Sequence, residues 1–313
     1  MGKKAVGMLV GYVLLAVIGI PVLVTAALGG FREEHMTEAK ALYGLEEYWN
    51  AKEYSLDTEL ERYVAGVVSA EMPALFPMEA LKAQAVAART YQVRYMKQSG
   101  SEEVLYDVGQ AYLDEQGQRE KWSAQYETYA ARIRQAVAET KGEIMVYEGE
   151  PILAAFHAQS SGKTENSENV WVQEIPYLRS VDSSGDLEAP DHETTTALSA
   201  AFVWEALRQY GALGVSATDL TFSKPVCSEA GYVQQIQAGN LTLTGQEVRE
   251  ALGLRSTDFT VQRQGDQFLF TTKGYGHGAG MSQYGAKALA EEGMDYREIL
   301  QHYYTGISFE KIA

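Results

Sequence analysis

Behind Lys3 and Lys4 stands "AVGMLVGYVLLAVIGIPVLVTAALGG", an uncharged apolar run of roughly 25 residues. As a helix such a run is long enough to cross a hydrocarbon layer of about 30 Å. An export signal has a shorter apolar region followed by a small-residue cleavage site, a role that "TAALGG" can also fill. The length favours an uncleaved transmembrane anchor over residues 1–30. The two lysines then hold Met1 in the cytoplasm and leave everything from Phe31 onward outside. The expectation is a single-pass protein of the cell membrane with an extracytoplasmic bulk.

That placement gives the single cysteine a meaning, because Cys227 has no partner in the chain for an intramolecular disulfide. Its plain reading is a small, buried, apolar residue. The formal charge of −16 excludes nucleic acid and anionic lipid surfaces as partners, since both are held by Lys and Arg. A neutral or weakly charged polymer is compatible with it.

Residues 31–56 are acidic with scattered aromatics and read as a stalk. The folded part, 57–313, opens at "DTELERYVAGVVSAEMP", where Thr58 and Glu61 have capping-box spacing and Leu60, Val64 and Val67 recur at helical period. A second helix follows, with Pro77 at its first position and Gly100 at its end. A third helical stretch runs up to Lys141, and two β-prone runs, 144–147 and 152–157, read as a hairpin across "EGEP". Between about 190 and 270 the pattern predicts a helix near 197–209 and several short strands, an inserted second lobe. The chain closes with "GYGHGAGMSQYGAKALAEEGMDYREILQHYYTG", a glycine-rich loop and two short helices. The fold class is α+β: a transmembrane helix, then a two-lobed mixed α/β domain.

Glu71 is the residue that asks for a chemical account. Positions 60, 64, 67 and 71 share one helix face, so its carboxylate continues an apolar stripe, and Pro73 makes it the end of the helix. The negative end of the helix dipole and the loss of water both disfavour its ionised form. A carboxyl still protonated near neutral pH suits general acid catalysis. The same spacing also fits a structural glutamate that closes the helix end against Arg89 or another base.

Three separated blocks, "LERYVAGVVSAEMPALFPMEALKAQAVAARTY", "SSGKTENSENVW" and the glycine-rich C-terminal block, resemble the stage II sporulation protein D family, and the likeness covers most of the chain after the stalk. The resemblance implies a membrane-anchored lytic transglycosylase acting in engulfment during sporulation, with Glu71 as its catalytic acid and base. It implies cleavage of the bond between N-acetylmuramic acid and N-acetylglucosamine in peptidoglycan strands, leaving 1,6-anhydro ends. It further implies prior removal of stem peptides by a cell-wall amidase or endopeptidase partner, and a membrane engulfment complex. No cofactor is expected.

Other candidates carry a second reading each. Arg89 orients substrate or tunes Glu71, or is a structural arginine. Ser161 and Lys163, in a turn-rich segment, bind sugar hydroxyl or acetamido groups, or form a plain polar loop. "SSGK" also satisfies the Ser-x-x-Lys pattern of penicillin-binding enzymes, but no downstream Lys-Thr-Gly supports that chemistry. His277, flanked by glycines, is read as lining the saccharide groove with Gln283 and Tyr284, and Tyr275 and Tyr284 are candidates for stacking on sugar rings. Some relatives carry a zinc site of histidine and cysteine beside the "SSGKTENSE" block. Here only His157 is present and no cysteine lies near it, so no metal is expected unless His192 or Glu165 completes an unusual set. Two competing functions stay open: a non-catalytic module that binds glycan and enhances an amidase, and a hydrolase that delivers water to the same bond.

Overall fold

The computed structural model describes residues 55–106, 109–171 and 173–312. The anchor read from the sequence lies outside them, as does the stalk except for its last two residues, Ser55 and Leu56, of which Leu56 packs against the core. Among the described residues no helix is long and apolar enough to cross a membrane.

Helix α1 (Glu59–Glu71) starts where Thr58 Oγ1 accepts the Glu61 amide at 3.2 Å. The expected reciprocal half of the capping box does not form. Glu61 turns inward, 2% exposed, and its carboxylate receives the Arg89 guanidinium instead. Tyr63, Val64, Val67 and Val68 bury the same helix in the core. The next turn is stopped by Pro73, which has no N–H to continue the ladder. Helix α2 (Met78–Ser99) follows, with Pro77 at its N-cap rather than one residue inside, and ends at Gly100 in the left-handed conformation, φ 65°. Its alanines at 80, 83, 85, 87 and 88 are fully buried, so neighbouring helices can approach closely. Against it lie α3 (Glu115–Trp122) and α4 (Tyr126–Glu139).

Strand β1 (Glu143–Tyr147) pairs antiparallel with β2 (Glu150–Pro151) over only two positions. The longer hairpin read from the sequence breaks because Pro151 lacks a donor and Ile152 and Ala154 go into the core. The rest of that run becomes β3 (Phe156–His157), in a different sheet. Helix α5 (Glu168–Trp171) closes the turn-rich block.

The region after Pro190 contains β4 (Glu193–Ser199), α6 (Ala200–Leu207), β5 (Val226–Cys227), β6 (Val233–Ala238), β7 (Leu241–Leu243), α7 (Gly245–Leu252), β8 (Phe259–Gln264) and β9 (Gln267–Lys273). Residues 197–199, expected to be helical, extend β4, and Ser199 caps α6 by accepting the Phe202 amide. The strands form two three-stranded sheets, β4-β9-β8 and β5-β6-β7. They enclose a second apolar cluster that includes Val203, Leu207, Ile236, Val248 and Phe270. Cys227 is exposed, contrary to the reading of a buried thiol, because it sits on the short edge strand β5.

The chain returns through β10 (Met281–Ser282), parallel to β3, then α8 (Gln283–Glu291), α9 (Tyr296–Tyr303) and β11 (Ser308–Lys311), which pairs with β1. The glycine-rich approach to β10 is a steric necessity at Gly280, φ 72°, where a Cβ would stand 2.1 Å from the Ala155 carbonyl oxygen. Asp186, fully buried, ties the blocks together. Its carboxylate accepts Ser160 N–H at 2.9 Å, Ser160 Oγ at 2.6 Å, Ser183 Oγ at 2.9 Å and Ser282 Oγ at 2.7 Å.

Candidate active site

Glu71 closes α1 on the edge of a cleft of about 400 Å³, whose other lining residues include Tyr91, Gln110, Leu153, Phe156, Trp171 and His277. Its Oε1 accepts the Ala111 N–H at 2.8 Å. That donor reaches it because the segment 111–113 lies directly on α1, with Leu113 N–H donating to the Gly66 carbonyl at 3.1 Å. A Cβ on Gly66 would stand 2.2 Å from the Tyr112 ring and 2.9 Å from the Leu113 oxygen. Glycine to alanine inside a helix ordinarily stabilises by roughly 0.5–1 kcal/mol. Gly66→Ala is expected to reverse that sign and cost on the order of 1–3 kcal/mol, the usual size of overpacking, read as a lower urea midpoint. An unchanged or raised midpoint would show that the 111–113 segment gives way freely.

No basic residue occupies the last turn of α1. The cation that meets its carbonyls comes from α3: Lys121 Nζ donates to Ser69 O at 2.8 Å and Ala70 O at 3.1 Å. Burial raises the pKa of Glu71, while the Ala111 N–H and then the Lys121 charge pull it back down. Burial likewise lowers that of Lys121, against the attraction of Glu71. For Glu71 the net direction is upward, with burial the largest cause and the Ala111 N–H and Lys121 opposing it.

His277 lies across the same cleft. Its Nδ1 accepts the Ala279 N–H at 3.1 Å, so the proton of the neutral ring sits on Nε2. The ring stands 5.4 Å from His157 and 5.0 Å from Trp171. Burial, then the Arg249 charge, depress His277 to about 4, and burial holds His157 well below the usual histidine range. Both rings are neutral at physiological pH. His157 Nδ1 donates to the Ala279 carbonyl at 3.2 Å. His192 Nε2 lies 3.1 Å from the Ser160 carbonyl, while Glu165 receives Asn166 N–H, Asn169 Nδ2 and the Ser228 hydroxyl. Among the described residues no group of three or more His, Cys, Asp or Glu is placed to hold a metal ion.

The remaining candidates are not gathered at Glu71. Arg89 is 0% exposed and bonded to Glu61, to the Glu143 and Val137 carbonyls and to Thr140, so it touches neither cleft nor Glu71. Gln283 is buried at the start of α8, its Nε2 donating to Gln84 Oε1 at 3.3 Å. The Tyr284 ring packs edge-on against Phe76, 5.0 Å away. Ser161 N–H donates to the Tyr232 hydroxyl. Lys163 is exposed and lines a separate, larger cavity of about 780 Å³ with Asn166, Asn169, Asp182 and Gln234. Tyr275 is exposed and carries the Arg255 guanidinium on its ring at 4.7 Å. Sequence reasoning missed Lys121, Ala111 and Gln110, which lie roughly 40–50 positions beyond Glu71 with no periodic relation to it. Trp171 stood in a quoted block, its aromatic ring the available signal.

Residues 51–147, which contain Glu71, match the family model described as "Stage II sporulation protein". The chain is 40% identical over 268 residues to stage II sporulation protein D of Bacillus subtilis (strain 168), covering 83% of this chain and 76% of that protein. The chain belongs to the stage II sporulation protein D family. A second member, from Bacillus amyloliquefaciens, is 40% identical over 259 residues, 80% of this chain and 74% of its own. The chain is also similar to a protein named amidase enhancer from Bacillus subtilis (strain 168), 31% identical over 291 residues, 77% of this chain and 39% of that one.

Proposed function

We propose that this protein is a peptidoglycan lytic transglycosylase of sporulation, anchored in the cell membrane and acting outside it during engulfment. It cleaves the bond between N-acetylmuramic acid and N-acetylglucosamine. Glu71 in its acid form protonates the glycosidic oxygen as the C1–O bond breaks. The muramic C6 hydroxyl then closes onto C1 and gives its proton to the Glu71 carboxylate, restoring the acid and leaving a 1,6-anhydro end. Hydrolytic glycosidases place two carboxylates about the bond. The observation that carries the reading is that Glu71 is the one carboxylate among the described residues lining its cleft. A reaction whose nucleophile belongs to the substrate needs one group that serves as acid and then as base. The opposed neighbours of Glu71 suit both duties: burial favours the acid, while Ala111 and Lys121 favour the carboxylate.

The test is the mass of products from glycan strands lacking stem peptides. Anhydro ends, lighter by one water than reducing ends, are expected; reducing ends alone would make the protein a hydrolase. The relative named amidase enhancer supports a second reading, a module that grips glycan and stimulates a separate amidase. In the transglycosylase reading an amidase removes the stems first. Strands that are bound but never shortened would favour the enhancer.

Lys121→Met is expected to shift the alkaline limb of kcat/KM to higher pH. Its charge favours the Glu71 carboxylate, so its loss makes the acid harder to ionise and keeps it active further into alkali. A limb that stays put, or moves down, would remove Lys121 from the tuning of Glu71.

A further inference from the structure

Trp171 ends α5 with 39% of its surface exposed, unusual for so large an apolar side chain, and it does so on the wall of the Glu71 cleft. The ring is held without being covered. The Trp171 backbone N–H donates to the Ser167 carbonyl at 2.8 Å, which fixes the residue at the end of α5, and the indole leans on the neutral His277 ring at 5.0 Å. Leu153, Ala154, Ala155 and Phe156 supply the cleft's apolar lining, and no Lys or Arg is among the described residues that line it. A phosphate or an acidic peptide would find no Lys or Arg in direct contact there.

A second group in the same cleft lacks its partner. Gln110 is 8% exposed, and the Tyr63 hydroxyl lies 3.3 Å from its Oε1. Burial pushes the Tyr63 phenol up to about 12, so it remains a donor and fixes which end of the amide is oxygen. Nε2 of Gln110 then points its hydrogens at no acceptor among the described residues. A buried donor left unpaired costs roughly 1–3 kcal/mol, and a ligand oxygen would relieve that cost.

One exposed aromatic face beside one waiting amide donor fits an amphipathic ring. A pyranose has a flat face of C–H bonds and a rim of oxygens, hydroxyl or acetamido. We infer that Trp171 and Gln110 form a sugar subsite of the Glu71 cleft, the indole stacking on one pyranose of the strand and Gln110 Nε2 donating to an oxygen on its rim. The inference rests on the transglycosylase reading for the identity of the strand, but not for the subsite itself.

The experiment therefore measures binding without turnover, using the full chain carrying Glu71→Gln and stem-free glycan strands as the probe. Tryptophan emission is followed alone and with Trp171→Phe, Trp171→Ala or Gln110→Ala added. The chain has four tryptophans, so a glycan-induced change that disappears in Trp171→Phe is assigned to that ring. Binding is expected to weaken roughly 2- to 12-fold in Trp171→Ala, the size of a single aromatic contact, and to be largely restored by phenylalanine. Gln110→Ala is expected to weaken it by a similar factor. Circular dichroism melts on the same samples separate misfolding from lost contact, and the phenylalanine variant decides if alanine unfolds. Unaltered affinity in folded Trp171→Ala, or an emission change that survives Trp171→Phe, overturns the subsite. Absence of anhydro products from the parent protein would instead overturn the transglycosylase reading and leave these binding results standing.

Discussion

Glu71→Gln is expected to abolish glycan cleavage, by about 10⁴-fold or more, while leaving glycan binding intact. General acid or base catalysis by one group typically contributes roughly 10² to 10⁴ in rate, and here the same carboxyl performs both transfers. The substitution is unusually clean at this position. Glutamine keeps the size of the side chain and one oxygen to accept the Ala111 N–H, the contact that holds the 111–113 segment on α1. It loses only the transferable proton and the charge facing Lys121. Strand pull-down and anhydro-product analysis on the same preparation give the answer. Near-normal product would dismiss the catalytic role and return Glu71 to the structural reading of a helix end. Normal pull-down without product, beside a parent protein that does cleave, would also exclude the enhancer reading, in which the proton has no use.

The second large effect is on stability, and it lies at Arg89. Its guanidinium spans α1, α2 and the turn into β1, bonding Glu61 at 2.7 Å and 3.0 Å and the Glu143 carbonyl at 3.1 Å with no exposed surface. Removing one partner of such a pair leaves a buried charge uncompensated, at a cost of about 3–5 kcal/mol. Arg89→Met is therefore expected to lower the melting temperature by roughly 6–20 °C for a domain of this size. Adding Glu61→Leu should recover part of the loss, because the pair is then replaced by apolar groups. Below its melting point the single variant should still bind glycan. Lost binding with an unchanged melt would restore Arg89 to the substrate site.

What the sequence made legible follows from where each signal is stored. Helix ends are written locally, so Thr58, Pro73 and Gly100 mark real boundaries. The alternation around Gly265 likewise finds β8 and β9. The half-burial of Glu71 could be read from residues 60, 64 and 67, since a stripe and its end are properties of one helix. Arg89 was misplaced because a lone arginine on an alanine-rich helix carries no sign of its partner. Glu61 looked committed to a capping box, and only the packed structure turns it inward. The hairpin is short for another reason: β1 pairs with β2 for only two positions before Pro151, which lacks an N–H, and its other edge is taken by β11, some 160 residues away, a pairing no local pattern announces. Ala111 and the Lys121 charge reach Glu71, and Gln110 reaches its cleft, along a chain path that no periodicity encodes.

Asp186 also bears on how this protein could be taken apart. Because one carboxylate clasps Ser160, Ser183 and Ser282, the turn-rich block and the glycine-rich block behave as parts of one keyed joint rather than as separate cassettes. Anyone grafting one of these loops from a relative, or transplanting the cleft onto another scaffold, has to carry the matching serines and the aspartate together. A graft that brings only one side leaves the other with donors and no lock.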